Sequence, residues 1–155
     1  MSLATPAREL STLSEEAWGR RKARLIAVGA AVFMALAIWL VAEQAFGIHL
    51  RAPEGFGASG DIDALNVALV TAVLSLAGWG LLALLERLTS HARTVWVAIA
   101  VPALLLSLLT PLSGTGVSAA NRVVLVLMHV TVGAVLIPAL YSTSPTGHAR
   151  RGPGA

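Results

Sequence analysis

The sequence lacks cysteine and has little charge, and each shortage excludes a class of protein. Without cysteine the chain forms no disulfide, has no thiolate metal ligand and has no cysteine nucleophile. Charged residues make up 12% of the 155 residues and hydrophobic residues 56%, whereas an average soluble domain has about 25% charged residues. The chain therefore lacks the polar residues that a soluble surface needs. This composition excludes an ordinary soluble enzyme and a disordered chain, and it predicts a membrane protein.

Long hydrophobic runs are what the sequence does have. A helix needs about 20 apolar residues, rising 1.5 Å each, to cross a bilayer. Four runs of suitable length cover residues 25–45, 64–85, 94–112 and 122–141. Their length and the absence of alternating hydrophobicity argue against strands. The sequence therefore predicts an all-α fold, an antiparallel bundle of four transmembrane helices.

The start of the first run also has features of a signal peptide. Residues 20–24 are basic, and residues 35–37 read Ala-Leu-Ala, which resembles a cleavage site. However, the hydrophobic stretch continues through residues 38–41, beyond a normal signal-peptide core. We therefore favour an uncleaved membrane anchor.

The basic residues predict the orientation of the bundle. Nine Lys and Arg residues fall in the N-terminal tail, the second connection or the C-terminal tail, while only Arg51 and Arg122 fall on the other side. Cytoplasmic loops carry the excess of Lys and Arg in membrane proteins. We therefore expect a multi-pass protein of the bacterial plasma membrane with both termini in the cytoplasm. The lipid bilayer is its expected partner, and nucleic acid is not, because the basic residues flank apolar runs.

Three segments follow from this topology. Residues 1–24 form a basic cytoplasmic tail, residues 25–141 the membrane domain, and residues 142–155 a disordered cytoplasmic tail. The first fifteen or so residues are expected to be disordered, with Ser14 capping a short helix. The longer first connection, residues 43–63, is rich in glycine and is expected to be irregular and mobile.

His129 is the most notable polar residue inside a predicted span. Arg122 and His129 are seven residues apart and share one helix face, and His129 lies roughly 10 Å deeper than Arg122. Ionisable groups at that depth are costly and are candidates for function. One interpretation is a ligand-binding or proton-responsive histidine in an outward vestibule, with Glu43 as its charge partner. The alternative, which we favour, is a neutral ring that bonds to a neighbouring helix and fixes packing.

Three further polar residues belong to the candidate intramembrane site. Glu43 ends the first run, where it is either a gate or, as we favour, an ordinary boundary residue that reaches water. Arg122 is expected to extend towards the headgroups. Asn66 lies one turn inside the second helix and is expected to bond to another helix end, while Asp61 and Asp63 are expected to cap that helix.

Motifs for catalysis, metals and cofactors are missing from the sequence. There is no HExxH or HxxxH for zinc and no glycine-rich phosphate motif, and no nucleophile elbow surrounds any serine. The histidines do not form a pair at matched depth, which disfavours haem bound by two imidazoles. We therefore predict no metal, no cofactor and no catalytic residues.

Five apolar segments resemble a known family. They are AGWGLLALLER (77–87), TVWV (94–97), LLLSLLTPL (104–112), VLVLMHV (124–130) and VLIP (135–138). The sequence over residues 25–141 resembles the DUF6069 family of small actinobacterial four-helix membrane proteins of unknown function. The resemblance implies four helices and an actinobacterial plasma membrane, and it implies no activity.

Three function classes remain open on the sequence. The first is a non-enzymatic partner subunit or small binding module, which the lack of a reactive constellation favours. The second is a small transporter or channel, assembled as a homo-oligomer, with a polar outward vestibule. The third is a membrane subunit that binds a lipid, a quinone or haem.

Overall fold

The computed structural model describes residues 4–52, 60–113 and 115–145. Within these ranges the regular structure is helical apart from one two-residue ladder, and short connections lie between the elements. The helices are α1 (Ala4–Phe46), α2 (Ala64–Leu88), α3 (Ala92–Ser107), α4 (Leu109–Ser113) and α5 (Ala119–Thr143), and the strands are β1 (Arg51–Ala52) and β2 (Gly60–Asp61). Four helical segments are long and apolar enough to cross a membrane, with α3 and α4 together forming the third. The predicted all-α fold with four spans is confirmed.

Helix α1 begins earlier than the sequence suggested. It is continuous from Ala4 through the first span, so the expected disorder is wrong for residues 4–15, and Ser14 lies within the helix. Residues 7–24 are rich in Ala, Leu, Glu and Arg, which are strong helix formers. A helix already nucleated in the span propagates cheaply into such a segment. Pro6 is tolerated because it lies in the first turn.

Side-chain caps define where α2 and α5 begin. Asp63 caps α2 by accepting a hydrogen bond from the amide of Asn66 at 2.7 Å, which confirms its predicted role. Ser118 caps α5 in the same way, through the amide of Asn121. Helix α5 continues to Thr143, and residues 146–155 of the predicted C-terminal tail lie outside the described residues.

The connection between α1 and α2 is more ordered than predicted. Strands β1 and β2 pair antiparallel, with Arg51 opposite Asp61 and Ala52 opposite Gly60. Asp61 makes an ion pair with Arg51 at 2.9 Å rather than capping α2. The expected irregular loop is therefore wrong at this ladder. The glycines at 55 and 57 lie outside the described residues.

Helix α1 packs closely against α2 and α5, and these three helices are called the trio; α2 and α5 contact each other little, and α3 lies beside them. Helices α1 and α3 each pack against both α2 and α5, so they lie on opposite sides of the bundle. On α1, Ala27, Ala31 and Ala35 are buried at four-residue spacing. On α2, Ser75 is fully buried. Small residues at these positions let helix backbones approach closely, which is how membrane helices pack without a hydrophobic driving force.

An ionic cluster joins the three helices of the trio at one end. Arg24 of α1 donates to both carboxylate oxygens of Glu86 on α2, at 2.5 and 3.3 Å. The same guanidinium donates to the hydroxyl and the carbonyl of Thr143 at the end of α5. The side chain of Arg24 is only 6% exposed and that of Glu86 17%. Bidentate contacts of this kind are strong and geometrically specific.

Helix α3 contributes a second cation to the end of α5. Arg93 donates through Nε to the carbonyl oxygen of Ser144 at 2.7 Å, and its guanidinium lies 5.4 Å from the ring centre of Tyr141. The last carbonyls of a helix have no partner within the helix and attract cations. Arg24 and Arg93 therefore satisfy the end of α5 from two sides.

We predict that Glu86→Leu destabilises the protein by about 3 kcal/mol, because it leaves Arg24 buried without its counter-charge. The double variant Arg24→Met with Glu86→Leu should recover most of this loss. Chemical unfolding in detergent measures the difference. Glu16→Leu is the matched control, since it breaks the exposed pair with Arg20, which is worth at most about 1 kcal/mol. Equal losses in the two single variants would contradict a structural role for the cluster.

Candidate ligand cavity

A cavity of about 680 Å³ lies between α2, α3 and α5, with Ala35 of α1 in its wall. It extends along the bundle from Asp61 and Asn66 near the β-ladder to Trp96 and Leu140 near the ionic cluster. Ligand-binding cavities commonly measure about 300–1,000 Å³. The size and the central position make this cavity the candidate functional site.

The polar lining groups are confined to one half of the cavity. They are Asp61, Asn66, Thr71, Ser107 and His129. All of them lie towards the β-ladder end, because α2 and α5 begin there and α3 ends there. The other half is lined by hydrophobic side chains and Gly78, and includes Leu81, Trp96, Leu136, Ile137 and Leu140. The cavity is therefore amphipathic along its length.

Close contacts to α3 flank the cavity. A Cβ atom on Gly133 would lie 2.6 Å from Cδ2 of Leu104, and one on Gly78 would lie 3.3 Å from the indole of Trp96. A side chain at Gly133 would therefore require Leu104 to move, and one at Gly78 would be tight against Trp96. The Trp96 Nε1 also donates to the carbonyl of Ile137 at 3.3 Å. Helix α3 is thus held at specific points, and the cavity occupies the space between them.

His129 lines the polar half of the cavity. Its Nδ1 lies 2.7 Å from the carbonyl oxygen of Leu125, one turn earlier on α5. A carbonyl oxygen can only accept, so Nδ1 carries the hydrogen and donates. The favoured interpretation, a ring bonded to a neighbouring helix, is therefore wrong for this nitrogen: the bond lies within α5. The ring lines the cavity and is only partly buried.

The four predicted site residues do not form one site. His129 and Asn66 both line the cavity. Arg122 donates to the carbonyl of Leu112 at 2.8 Å, where it satisfies the end of α4. No side-chain hydrogen bond from Asn66 to another helix end occurs within residues 4–52, 60–113 and 115–145; its backbone amide serves the α2 cap.

Glu43 is not the partner of His129. Its carboxylate accepts from the amide of Leu50 at 3.0 Å and lies 3.1 Å from Nδ1 of His49. Both contacts lie in the connection after α1, so the vestibule in which Glu43 meets His129 is a wrong expectation. Glu43 instead closes the turn that leads from α1 to β1.

Asn121 attaches the β-ladder to the bundle. Its side-chain oxygen accepts from the amide of Arg51, and its side-chain nitrogen donates to the carbonyl of Arg51, both at 3.0 Å. Trp39 of α1 adds a hydrogen bond to the carbonyl of Ile62 at 2.9 Å. These contacts hold the ladder over the polar end of the cavity, which includes Gly60 and Asp61 in its lining.

Sequence reasoning missed Arg24, Glu86 and Asn121. Arg24 belongs to the predicted basic tail, and Glu86 follows directly after the second predicted span. A signal was present: Glu86 is an acidic residue at the basic end of the bundle, at the depth of Arg24, and such a residue attracts a buried cation. For Asn121 the sequence offers no comparable signal, because its partner is backbone.

One known protein family matches most of this chain. The family described as "Family of unknown function (DUF6069)" matches residues 15–146, most of the chain. The chain belongs to the DUF6069 family. This confirms the family that the apolar segments resembled. No curated protein and no solved structure matches this DUF6069 protein.

We predict that Asn121→Ala loosens the β-ladder of this DUF6069 protein. The substitution removes both hydrogen bonds to Arg51 and leaves its backbone groups without those partners, at a cost of about 1–3 kcal/mol. Hydrogen exchange in detergent should show faster exchange at Leu50–Ala52 and little change in α2. Asn66→Ala is the control. Unchanged exchange at the ladder in Asn121→Ala would show that Asn121 does not anchor it.

Proposed function

We propose that the protein is a non-enzymatic integral membrane protein that binds one single-chain amphipathic lipid in the central cavity. The observation that carries this proposal is the separation of polar and apolar lining along one cavity of about 680 Å³. A lipid chain with a small polar end has the same division. Its polar end would lie beside Asn66 and His129, and its chain would lie beside Leu136 and Leu140.

An apolar ligand is energetically favoured in the apolar half of the cavity, the half that includes Trp96, Leu136 and Leu140. A buried water needs two to four polar partners, and the lining there is almost entirely hydrocarbon, with Trp96 Nε1 already bonded to a carbonyl. A hydrocarbon chain needs no such partners. The lining of this half therefore suits a lipid chain better than water.

Binding without chemistry is favoured by the environment of His129. A histidine that activates a nucleophile needs a hydroxyl or thiol within hydrogen-bond reach. The Nδ1 of His129 bonds to a backbone carbonyl of its own helix, and no side-chain hydroxyl among the described residues is hydrogen-bonded to the ring. The ring is therefore oriented without a protein nucleophile bonded to it, which supports a role in recognition.

We further propose that the protein lies in a bacterial plasma membrane with both termini in the cytoplasm. The support is the distribution of basic residues. The end of the bundle that holds the ionic cluster carries Arg20, Arg21, Lys22, Arg87 and Arg93, whereas the β-ladder end carries Arg51 and Arg122. By the positive-inside rule the first end faces the cytoplasm. The polar half of the cavity then faces the outer leaflet.

This orientation is testable because the chain has no cysteine of its own. We expect Thr115→Cys to react with a membrane-impermeant maleimide on intact cells and Thr12→Cys to react only after permeabilisation. Both threonines are exposed and lie at opposite ends of the bundle. The reversed pattern would show that the termini face outwards.

Filling the cavity tests the binding proposal. We expect Val70→Trp to abolish lipid binding or to weaken it at least tenfold. Val70 lines the cavity, and the larger indole would fill part of the cavity volume. Val73→Trp is the matched control on the same helix. Both valines are exposed, at 54% and 62%, but Val73 does not line the cavity.

Native mass spectrometry after gentle extraction measures bound mass and stoichiometry together. The expected wild-type spectrum contains one lipid per chain, retained in Val73→Trp and lost in Val70→Trp. Equal lipid retention in both variants would refute the cavity as the binding site. An absence of bound lipid in wild type, even after addition of a long-chain alcohol, would refute the proposed function.

A further inference from the structure

We infer that the polar end of the bound lipid is a hydroxyl group, which donates a hydrogen bond to Nε2 of His129. This inference rests on the proposed function and narrows it to long-chain alcohols. It follows from the direction of the hydrogen bond that already holds the ring.

The tautomer of His129 is fixed by its contact with α5. A neutral imidazole has one nitrogen that donates and one that accepts. Because Nδ1 donates to the Leu125 carbonyl at 2.7 Å, Nε2 of the neutral ring is the acceptor. Which role the second nitrogen plays is set by the bond of the first.

The position of His129 places this acceptor at the boundary between the two halves. His129 lies ten residues into α5, about 15 Å from its start at 1.5 Å per residue. Beyond it along α5, the lining residues Val132, Gly133, Leu136, Ile137 and Leu140 are all apolar or glycine. A hydroxyl at the ring would therefore leave its chain to run into the apolar half.

The other polar lining residues differ from His129 in direction or in position. The amide of Asn66 and the hydroxyl of Thr71 can each donate or accept, so neither distinguishes a donor ligand from an acceptor ligand. Ser107 donates to the carbonyl of Leu104 at 2.7 Å, so its oxygen can only accept, but it lies at the end of α3. Asp61 also only accepts, but it is engaged by Arg51 and is exposed at the ladder. Of these acceptors, His129 is the one that lies next to the apolar half.

A long-chain alcohol and its methyl ether test whether the ligand must donate a hydrogen bond to His129. Both have the same chain and an oxygen at the same place, but only the alcohol has a hydrogen to donate. With the ether, Nε2 loses its hydrogen bond while remaining covered, and a buried acceptor without a partner is costly. A site built to bond a hydroxyl rejects the analogue that lacks it.

The experiment is a competition in detergent between equimolar hexadecanol and hexadecyl methyl ether, read by native mass spectrometry. We expect wild type to retain the alcohol about three- to tenfold more than the ether, the range that one net hydrogen bond gives. His129→Phe keeps an aromatic ring and removes both nitrogens. The ratio of retained alcohol to retained ether should therefore fall to the ratio of the two probes in the detergent without protein. Thr131→Val is the control, since Thr131 lies on the same helix outside the lining, and it should keep the wild-type ratio.

Each outcome bears on a different claim. Equal retention of both probes by wild type would overturn the hydroxyl inference and leave the lipid-binding proposal intact. Retention of neither probe would refute the proposed function itself. A preference that survives in His129→Phe would overturn the assignment to His129. If His129→Phe does not fold, the wild-type ratio still decides the hydroxyl inference, and His129→Leu repeats the test of the residue.

Discussion

The buried contact of Arg24 with Glu86 and Thr143 is the constraint on which the bundle depends. It joins the middle of α1, where the apolar part of that helix begins, to the ends of α2 and α5, and a charge so deeply covered requires its partners. At the opposite end, Asn121 joins α5 to the connection between α1 and α2. With both ends fixed, the small residues of α1 bring it into close contact with α2 and with α5. Helix α1 therefore joins α2 to α5, which contact each other little.

The cavity follows from the position of α3 outside that trio. Helix α3 contributes Arg93 to the end of α5 and meets the other helices through Trp96 and Leu104. Between these points it presents Ala100 and Ala103, which are too small to fill the space opposite α2. A gap among hydrocarbon side chains loses dispersion contacts on its lining, and an occupant restores them. The same sequence feature that loosens the packing thus provides a site for a ligand.

The spans and the family were predictable from sequence because both depend on long apolar runs. The cap at Asp63 was predictable for a similar reason, since local spacing defines it. The partners of Arg24 and Asn121 were not, because contacts between distant helices depend on how helices rotate about their axes. Hydrophobicity on nearly all faces, as in α2 and α5, hides that rotation. His129 was recognised as unusual, but its bond to Leu125 and the cavity beside it needed coordinates.

The apolar lining of the cavity and the fixed tautomer of His129 together increase the discrimination between ligands. In an aqueous site a single hydrogen bond discriminates weakly, because water replaces whichever partner is missing. Beside His129 the lining towards Leu140 offers hydrocarbon and glycine, so an unmatched ligand oxygen would find few substitutes there. The bond from Nδ1 to the Leu125 carbonyl also prevents the ring from exchanging its two nitrogens without losing that partner. Apolar surroundings raise the cost of a mismatch, and the tautomer decides which ligand is mismatched. A small bundle with one polar ring in its interior can therefore be selective without any catalytic group.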